Sequence, residues 1–297
     1  MFARRFLAAI GYHHVLMLFV TIGVIFLSVL VAGCTGADVS SIYLLSLSYT
    51  NNDTSTRSFH DQTQINPDAS TTITGLASRN STAPPLNLEI RTGYLGMCLK
   101  QSSGLWVCAR NVESLSTLLK DRQGSPSDLD PLNLIWTAKI FKDQLVFSGL
   151  VYDELPVSET INKELVLNIL FLRFIPIPLL LIAFLLLSSF PHWTTMTESD
   201  DDSTLEVRPF PSATVSRVAA ASVSLASVLI LIATFWQHVS SSAAATMAEN
   251  LSYGAVTGHI GVAAMFLGWG ALVFGVLAAG GLLSMIVTLH WLSRLVE

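Results

Sequence analysis

Cys98 and Cys108 are the residues of this chain best placed to do chemistry on one another. The first closes the string Gly93-Tyr94-Leu95-Gly96-Met97-Cys98, and the second closes Gly104-Leu105-Trp106-Val107-Cys108. Thiols this close in sequence, in an oxidising compartment, join as a disulfide. Closing a loop of about ten residues stabilises the fold by roughly 2.5–3 kcal/mol in the chain-entropy treatment. Gly93 and Gly96 would permit turns or a close backbone approach that other residues resist. Trp106 would cover the bridge or present an aromatic face near a bilayer. Such a cluster can be the core of a small domain, or its tip Lys100–Gly104 can be a contact surface. Zinc does not fit, because only two cysteines cluster and the nearest histidine in sequence, His60, is far away.

Other reactive groups are scattered. Cys34 follows an apolar run, where lipidation, burial and pairing are all open to it. Asp143, Asp153, Glu154 and Glu159 could attract calcium near a membrane but lack the tight ligand spacing of a calcium loop. Ser199 sits in Thr197-Glu198-Ser199-Asp200-Asp201-Asp202, either an acidophilic kinase site or a solvated loop. Sequons begin at Asn52, Asn80 and Asn250. Arg173 lies inside an apolar stretch shortly before Pro176 and Pro178, where a charge is a functional candidate. It snorkels instead if the span starts near Phe174 with the prolines in its first turns. No nucleophile elbow, HExxH helix or phosphate-binding glycine loop occurs, so an enzyme has no residues to stand on.

These groups are positioned by membrane spans. The chain is 51% hydrophobic and 12% charged, against roughly 25% charged in a soluble domain. Four apolar stretches, 14–33, 165–190, 213–236 and 260–291, each reach the ~20 residues that cross a bilayer as helix. A cleaved signal peptide is the alternative for the first, but its apolar run exceeds the usual 7–15 residues. The net charge of −5 says little about partners, but no basic stripe suggests nucleic acid, and that reading drops out. Arg4, Arg5 and Arg294 put both termini inside. All three sequons then fall outside, where glycosylation occurs.

The expected order is an inner amino terminus (1–13), a large outer domain (34–164), an acidic inner loop (191–212), a short outer loop (237–259) and an inner tail (292–297). In the outer domain, Ser41–Tyr49 is rich in strand formers, Leu86–Arg91 alternates apolar and polar residues, and Leu105–Ala109 makes a return strand. Pro131–Leu150 approaches the second span as helix. Small residues along the third and fourth stretches, among them Ala219, Ser227, Gly270 and Gly275, predict that these two helices pack together. The expected fold is a four-helix transmembrane bundle with a small disulfide-pinned, β-rich extracellular domain, of the α+β type.

With four spans and a large first outer loop around Gly93, Gly96, Cys98, Trp106 and Cys108, the chain resembles the fungal calcium regulator and membrane-fusion family induced during mating. Cys34 and the stretch Ile42–Tyr49 resemble members from filamentous fungi. The resemblance implies a plasma-membrane protein at sites of polarised growth and cell fusion, supporting low-affinity calcium influx and membrane merger. It implies calcium-channel or fusion-machinery partners, with self-association open. Calcium would be transported or regulated rather than held as a tightly bound cofactor. The spans lack polar lining, so a partner rather than this chain would conduct. The alternative is a membrane-domain or wall-linked scaffold or adhesion protein with indirect calcium effects. The architecture is also similar to the claudin-like four-span proteins, although Gly104-Leu105-Trp106 here falls between the cysteines rather than before both.

Overall fold

The computed structural model describes residues 12–49, 88–100, 104–110, 114–115, 134–147, 175–190, 194–197, 204–207, 212–252 and 255–296. Its helices are α1 (Tyr12–Ala32), α2 (Leu134–Phe147), α3 (Pro176–Ser188), α4 (Ala213–Leu251) and α5 (Val262–Val296). Its strands are β1 (Leu45–Tyr49), β2 (Glu89–Thr92), β3 (Met97–Lys100), β4 (Trp106–Ala109), β5 (Thr194–Thr197), β6 (Thr204–Val207) and β7 (Val256–Ile260). The chain forms two compact units. One comprises Met1–Ser28, Phe171–Ile232 and Gly268–Glu297; the other comprises Val29–Leu170 and Ala233–Leu267.

The first unit is helical. α1, α4 from Thr214 and α5 to Thr288 are each long and apolar enough to cross a membrane. α3 is apolar throughout but has only 13 residues and starts on Pro176 and Pro178, where missing N–H groups cost nothing. Arg173 lies outside the described residues. Buried Leu16 and Val20 of α1 meet Leu180 and Ala183 of α3, Val223 and Ala226 of α4, and Ala271 and Ala278 of α5. Apolar side chains such as Leu185, Leu225, Ile232 and Val276 point outward instead, as a lipid-facing surface requires. Lipid offers helices no hydrophobic drive to associate, so small residues that allow close approach decide the contacts. A Cβ on Gly275 would lie 2.8 Å from the Ser227 hydroxyl, as the packing of the third and fourth stretches predicts. The glycines also seat the first helix, since a Cβ on Gly270 would meet the Phe26 ring at 2.7 Å.

The second unit holds a five-stranded sheet in the order β4-β3-β2-β1-β7, antiparallel at every pairing. Leu45, Leu47, Ile90, Met97, Leu99 and Val256 form one buried face, covered by Leu134, Ala138 and Phe141 of α2 and Ala245 of α4. The other face carries Ser48, Glu89, Arg91, Lys100 and Trp106, because side chains alternate along each strand. Strand positions in 86–109 and the helix before the second span agree with their sequence patterns to within a few residues.

Two expectations are corrected. The third apolar stretch does not stop at Trp236: α4 continues to Leu251, for 39 residues. That is ~58 Å of helix, nearly twice the ~30 Å hydrocarbon core. The added length is held by packing, since Gly258 of β7 brings its backbone against Ala245 so closely that a Cβ would lie 2.7 Å from the Ala245 Cα. The residues expected as an outer loop are therefore helix followed by strand, and Ile260 ends β7 rather than opening the last span. Gly261 makes the junction, donating its N–H to the Leu44 carbonyl at 3.2 Å. Within 191–212, β5 and β6 form a hairpin whose threonine and valine content suits strands. Ser199 lies between them, outside the described residues.

Candidate functional site

The candidate site begins where α1 ends. Gly33 and Cys34 turn the chain out of the helix, and the Cys34 N–H donates to the Val39 carbonyl at 3.2 Å. Cys34 has φ of 58°, a left-handed conformation that few non-glycine residues adopt. The β2–β3 hairpin packs onto this turn. Its own reversal is tight, with the Gly93 N–H donating to the Gly96 carbonyl at 2.9 Å. A Cβ on Gly96 would overlap the Cys34 carbonyl oxygen, and one on Gly93 would overlap that of Gly33. Both motif glycines therefore serve close approach of two backbones rather than a special φ.

Cys98 and Cys108 face each other across β3 and β4, joined at an S–S distance of 2.01 Å with their Cα atoms 4.0 Å apart. The Cys98 sulfur rests 3.6 Å from the Cys34 carbonyl oxygen; having no proton, it makes a packing contact there. Cys34 itself is a buried free thiol that donates to the Ile42 carbonyl at 3.5 Å. Of its three sequence options, burial is the one the structure shows. Burial pushes this thiol up to about 12, against the opposing pull of Arg91 and Lys142. The thiolate is the reactive form, so a water-soluble maleimide should leave Cys34 unmodified in the folded protein and label it after denaturation. Intact-mass measurement reads this directly; one adduct on the folded chain would contradict it.

Arg91 organises the polar face. Its guanidinium lies between two rings, 4.1 Å from the Trp106 centroid and 4.7 Å from that of Tyr43. It pairs with Glu89 at 2.9 Å and donates to the Ser40 carbonyl at 3.2 Å, tying β2 to the turn after α1. Lys100 pairs with the other Glu89 oxygen at 3.3 Å and lies 5.6 Å from the Trp106 ring. Burial raises the Glu89 carboxyl, but Arg91 and Lys100 outweigh it and hold the group below the usual carboxylate range. Glu89 and Arg91 are only about a fifth exposed, so these pairs are screened less than open surface ones. Each is worth on the order of 1 kcal/mol, and cation–π contacts add roughly 0.5–2 kcal/mol. Trp106 is thus clamped by cations. Below the hairpin, the Tyr94 hydroxyl donates to Oε1 of buried Gln237 on α4 at 2.5 Å.

Gly93, Gly96 and Cys98 therefore meet the Gly33–Cys34 turn, with Cys108 bridged to Cys98 and Trp106 on the same sheet. Of the tip, Lys100 is held by Glu89, Gly104 has φ of 82°, and Leu105 is 68% exposed. Residues 101–103 lie outside the described residues, as do Asn52, Asn80, Asp153, Glu154 and Glu159. Asp143 falls on α2, and its side chain is likewise outside them. Asn250 is exposed in the last turn of α4. Among the described residues, no group of three His, Cys, Asp or Glu is placed to hold a metal ion. Sequence reasoning missed Arg91 and the Gly33–Cys34 turn. Arginine in a strand flanked by two distant aromatics leaves no local periodic signal, though the alternation of Glu89 and Arg91 did place both on the polar face.

A family model described as Ca2+ regulator and membrane fusion protein Fig1 matches the chain over residues 75–158 and 153–289. No curated protein and no solved structure matches it.

Proposed function

The chain belongs to the Fig1 family of Ca2+ regulator and membrane fusion proteins, and from that membership we propose that it promotes low-affinity calcium entry and cell fusion during fungal mating. It is a multi-pass membrane regulator rather than an enzyme. Its place is the plasma membrane at polarised growth or fusion sites, with the sheet unit outside and both termini inside. It acts through channel or fusion-machinery proteins; the described helical core is built mainly of Leu, Ala and Val, with His13, Ser216 and Ser227 buried in the same unit.

The observation carrying this topology is the pairing of β1 with both β2 and β7. Segments that share one sheet must lie on one side of the bilayer, so the chain between β4 and β7 crosses an even number of times. α4 can cross, and α3 supplies the apolar start of the companion crossing. The Cys98–Cys108 bridge supports the oxidising side for the sheet, and Asn250 is exposed there for glycosylation. Packing of Leu16 and Val20 into the helical core supports retention of the first span.

A strain lacking the protein should take up less calcium on pheromone stimulation and fail to fuse with its partner. Normal uptake and fusion would sink the proposal. Stable, patchy cortical localisation unrelated to mating would then favour a scaffold.

A further inference from the structure

Helix α4 carries a polar pair that the disulfide, the motif glycines and the functional reading leave unexplained. Gln237 is 1% exposed and Ser241 0%, and both belong to the sheet unit together with Tyr94. Gln237 uses its Oε1 to accept the Tyr94 hydroxyl at 2.5 Å. Its Nε2 and the Ser241 Oγ are buried and have no hydrogen-bond partner among the described residues. An unpaired buried group bears its full desolvation cost, so buried polar atoms nearly always have a partner. Ser241 is the more telling of the two. Other α4 hydroxyls donate to the carbonyl one turn back: Ser227 to Val223 at 2.8 Å, Ser242 to His238 at 2.8 Å and Thr246 to Ser242 at 3.1 Å. Ser241 has the Gln237 carbonyl at the same offset and leaves it unused. Its hydroxyl is turned elsewhere.

Residues four apart share a helix face, with their Cβ atoms about 5–6 Å apart. The Gln237 amide and the Ser241 hydroxyl are therefore neighbours, yet they do not bond one another. One atom that accepts from Nε2 and pairs with Oγ spans the gap. Chemistry narrows what that atom belongs to. A metal cation needs lone pairs, whereas the amide offers N–H groups there because its oxygen is taken by Tyr94. An anion would bring a buried charge with no cation bonded to either group, at heavy cost. An apolar group would leave both atoms orphaned. Water is neutral, accepts and donates at once, and is the usual partner of buried polar groups that a fold leaves unsatisfied.

We infer that Gln237 and Ser241 hold one internal water molecule, which extends the Tyr94–Gln237 bond into a chain from the motif hairpin to the next turn of α4. Each link polarises the next, so the motif tyrosine is gripped by hydration as well as by packing. The site stands apart from calcium entry and fusion, which the deletion strain tests.

The test is proton-detected solid-state NMR on the full chain in lipid bilayers, perdeuterated, back-exchanged and carrying isotope-labelled glutamine. Gln237→Met identifies the Gln237 side-chain signal by its disappearance. Magnetisation from water should reach that amide although the residue is 1% exposed. Ser241→Ala should reduce the transfer severalfold and lower the unfolding midpoint by a few degrees, because the water loses a partner. Tyr94→Phe should preserve the transfer, since it removes only a phenol proton that exchanges with solvent on its own. Intact mass under non-reducing conditions verifies that each variant has closed its Cys98–Cys108 bridge. Absence of transfer in the parent would overturn the inference. So would a raised midpoint in Ser241→Ala, the result of deleting an orphaned hydroxyl from a dry contact. Transfer lost in Tyr94→Phe would assign the signal to the phenol, and transfer unchanged in Ser241→Ala would remove Ser241 from the site; either sinks the bridge.

Discussion

Gly96→Ala, and Gly93→Ala nearly as severely, should leave little folded protein. Overpacking a core costs typically ~1–3 kcal/mol when neighbouring side chains can move aside. Here the obstacles are backbone atoms of the turn after α1: the Gly96 Cβ would meet the Cys34 carbonyl group, its carbon at 2.6 Å, and that of Gly93 would meet the Gly33 carbonyl carbon at 2.9 Å. Moving that turn also disturbs the Ser40 carbonyl that Arg91 holds and the contact on which Cys98 rests. We expect a loss at or above the upper end of that range, against a total of roughly 5–15 kcal/mol for a typical domain. Two other glycines calibrate the effect. At Gly36 a Cβ would have nothing within 4 Å, so Gly36→Ala should be close to neutral. Gly104 also has open space but a φ of 82°, so alanine there costs about 1–2 kcal/mol from backbone strain alone. Yield of bridge-closed protein and its melting temperature would rank the four; Gly96→Ala melting with the parent would refute the close-approach account.

Removing the bridge comes second. Cys98→Ala or Cys108→Ala should each destabilise the sheet unit by about 3 kcal/mol, the chain-entropy value for a loop of this length. Alanine is preferable to serine at position 98, which is fully buried, because a buried hydroxyl without a partner adds its own penalty. Either single change already breaks the bond, so the double variant should be no worse than the poorer single one. Additive damage to stability, or to pheromone-stimulated calcium entry, would mean that the two sulfurs act separately.

Much of this fold could be read from residue order. Apolar runs of twenty residues announce spans, and the alternation in 86–91 announces a half-buried strand. The bridge followed from two thiols and an expected oxidising side. What escaped was set by partners distant in the chain. Residues 237–251 carry Gln, His, three Ser and Glu, a composition that hydropathy assigns to a loop; they stay helical because Ala245 and Ala248 pack on the sheet unit. Val256–Ile260 alternates cleanly, yet nothing nearby tells that its neighbour is β1. The hydroxyls of Ser48 and Thr257 meet at 2.9 Å although 209 residues separate them. At the candidate site the glycines were evident as a motif, but their opponent, the carbonyls of Gly33 and Cys34, belongs to a turn with no signature of its own.

That distant pairing imposes a schedule on biosynthesis. β1 lies inside the finished sheet, flanked by β2 and β7, yet β7 leaves the ribosome some two hundred residues later. At ~5–20 residues per second, the interval is roughly 10–40 s. Throughout it, β1 presents a row of unpaired N–H and C=O groups, the kind of edge that recruits other strands. A chain cut before Val256 lacks β7 and should keep that edge of β1 open to pairing with other strands.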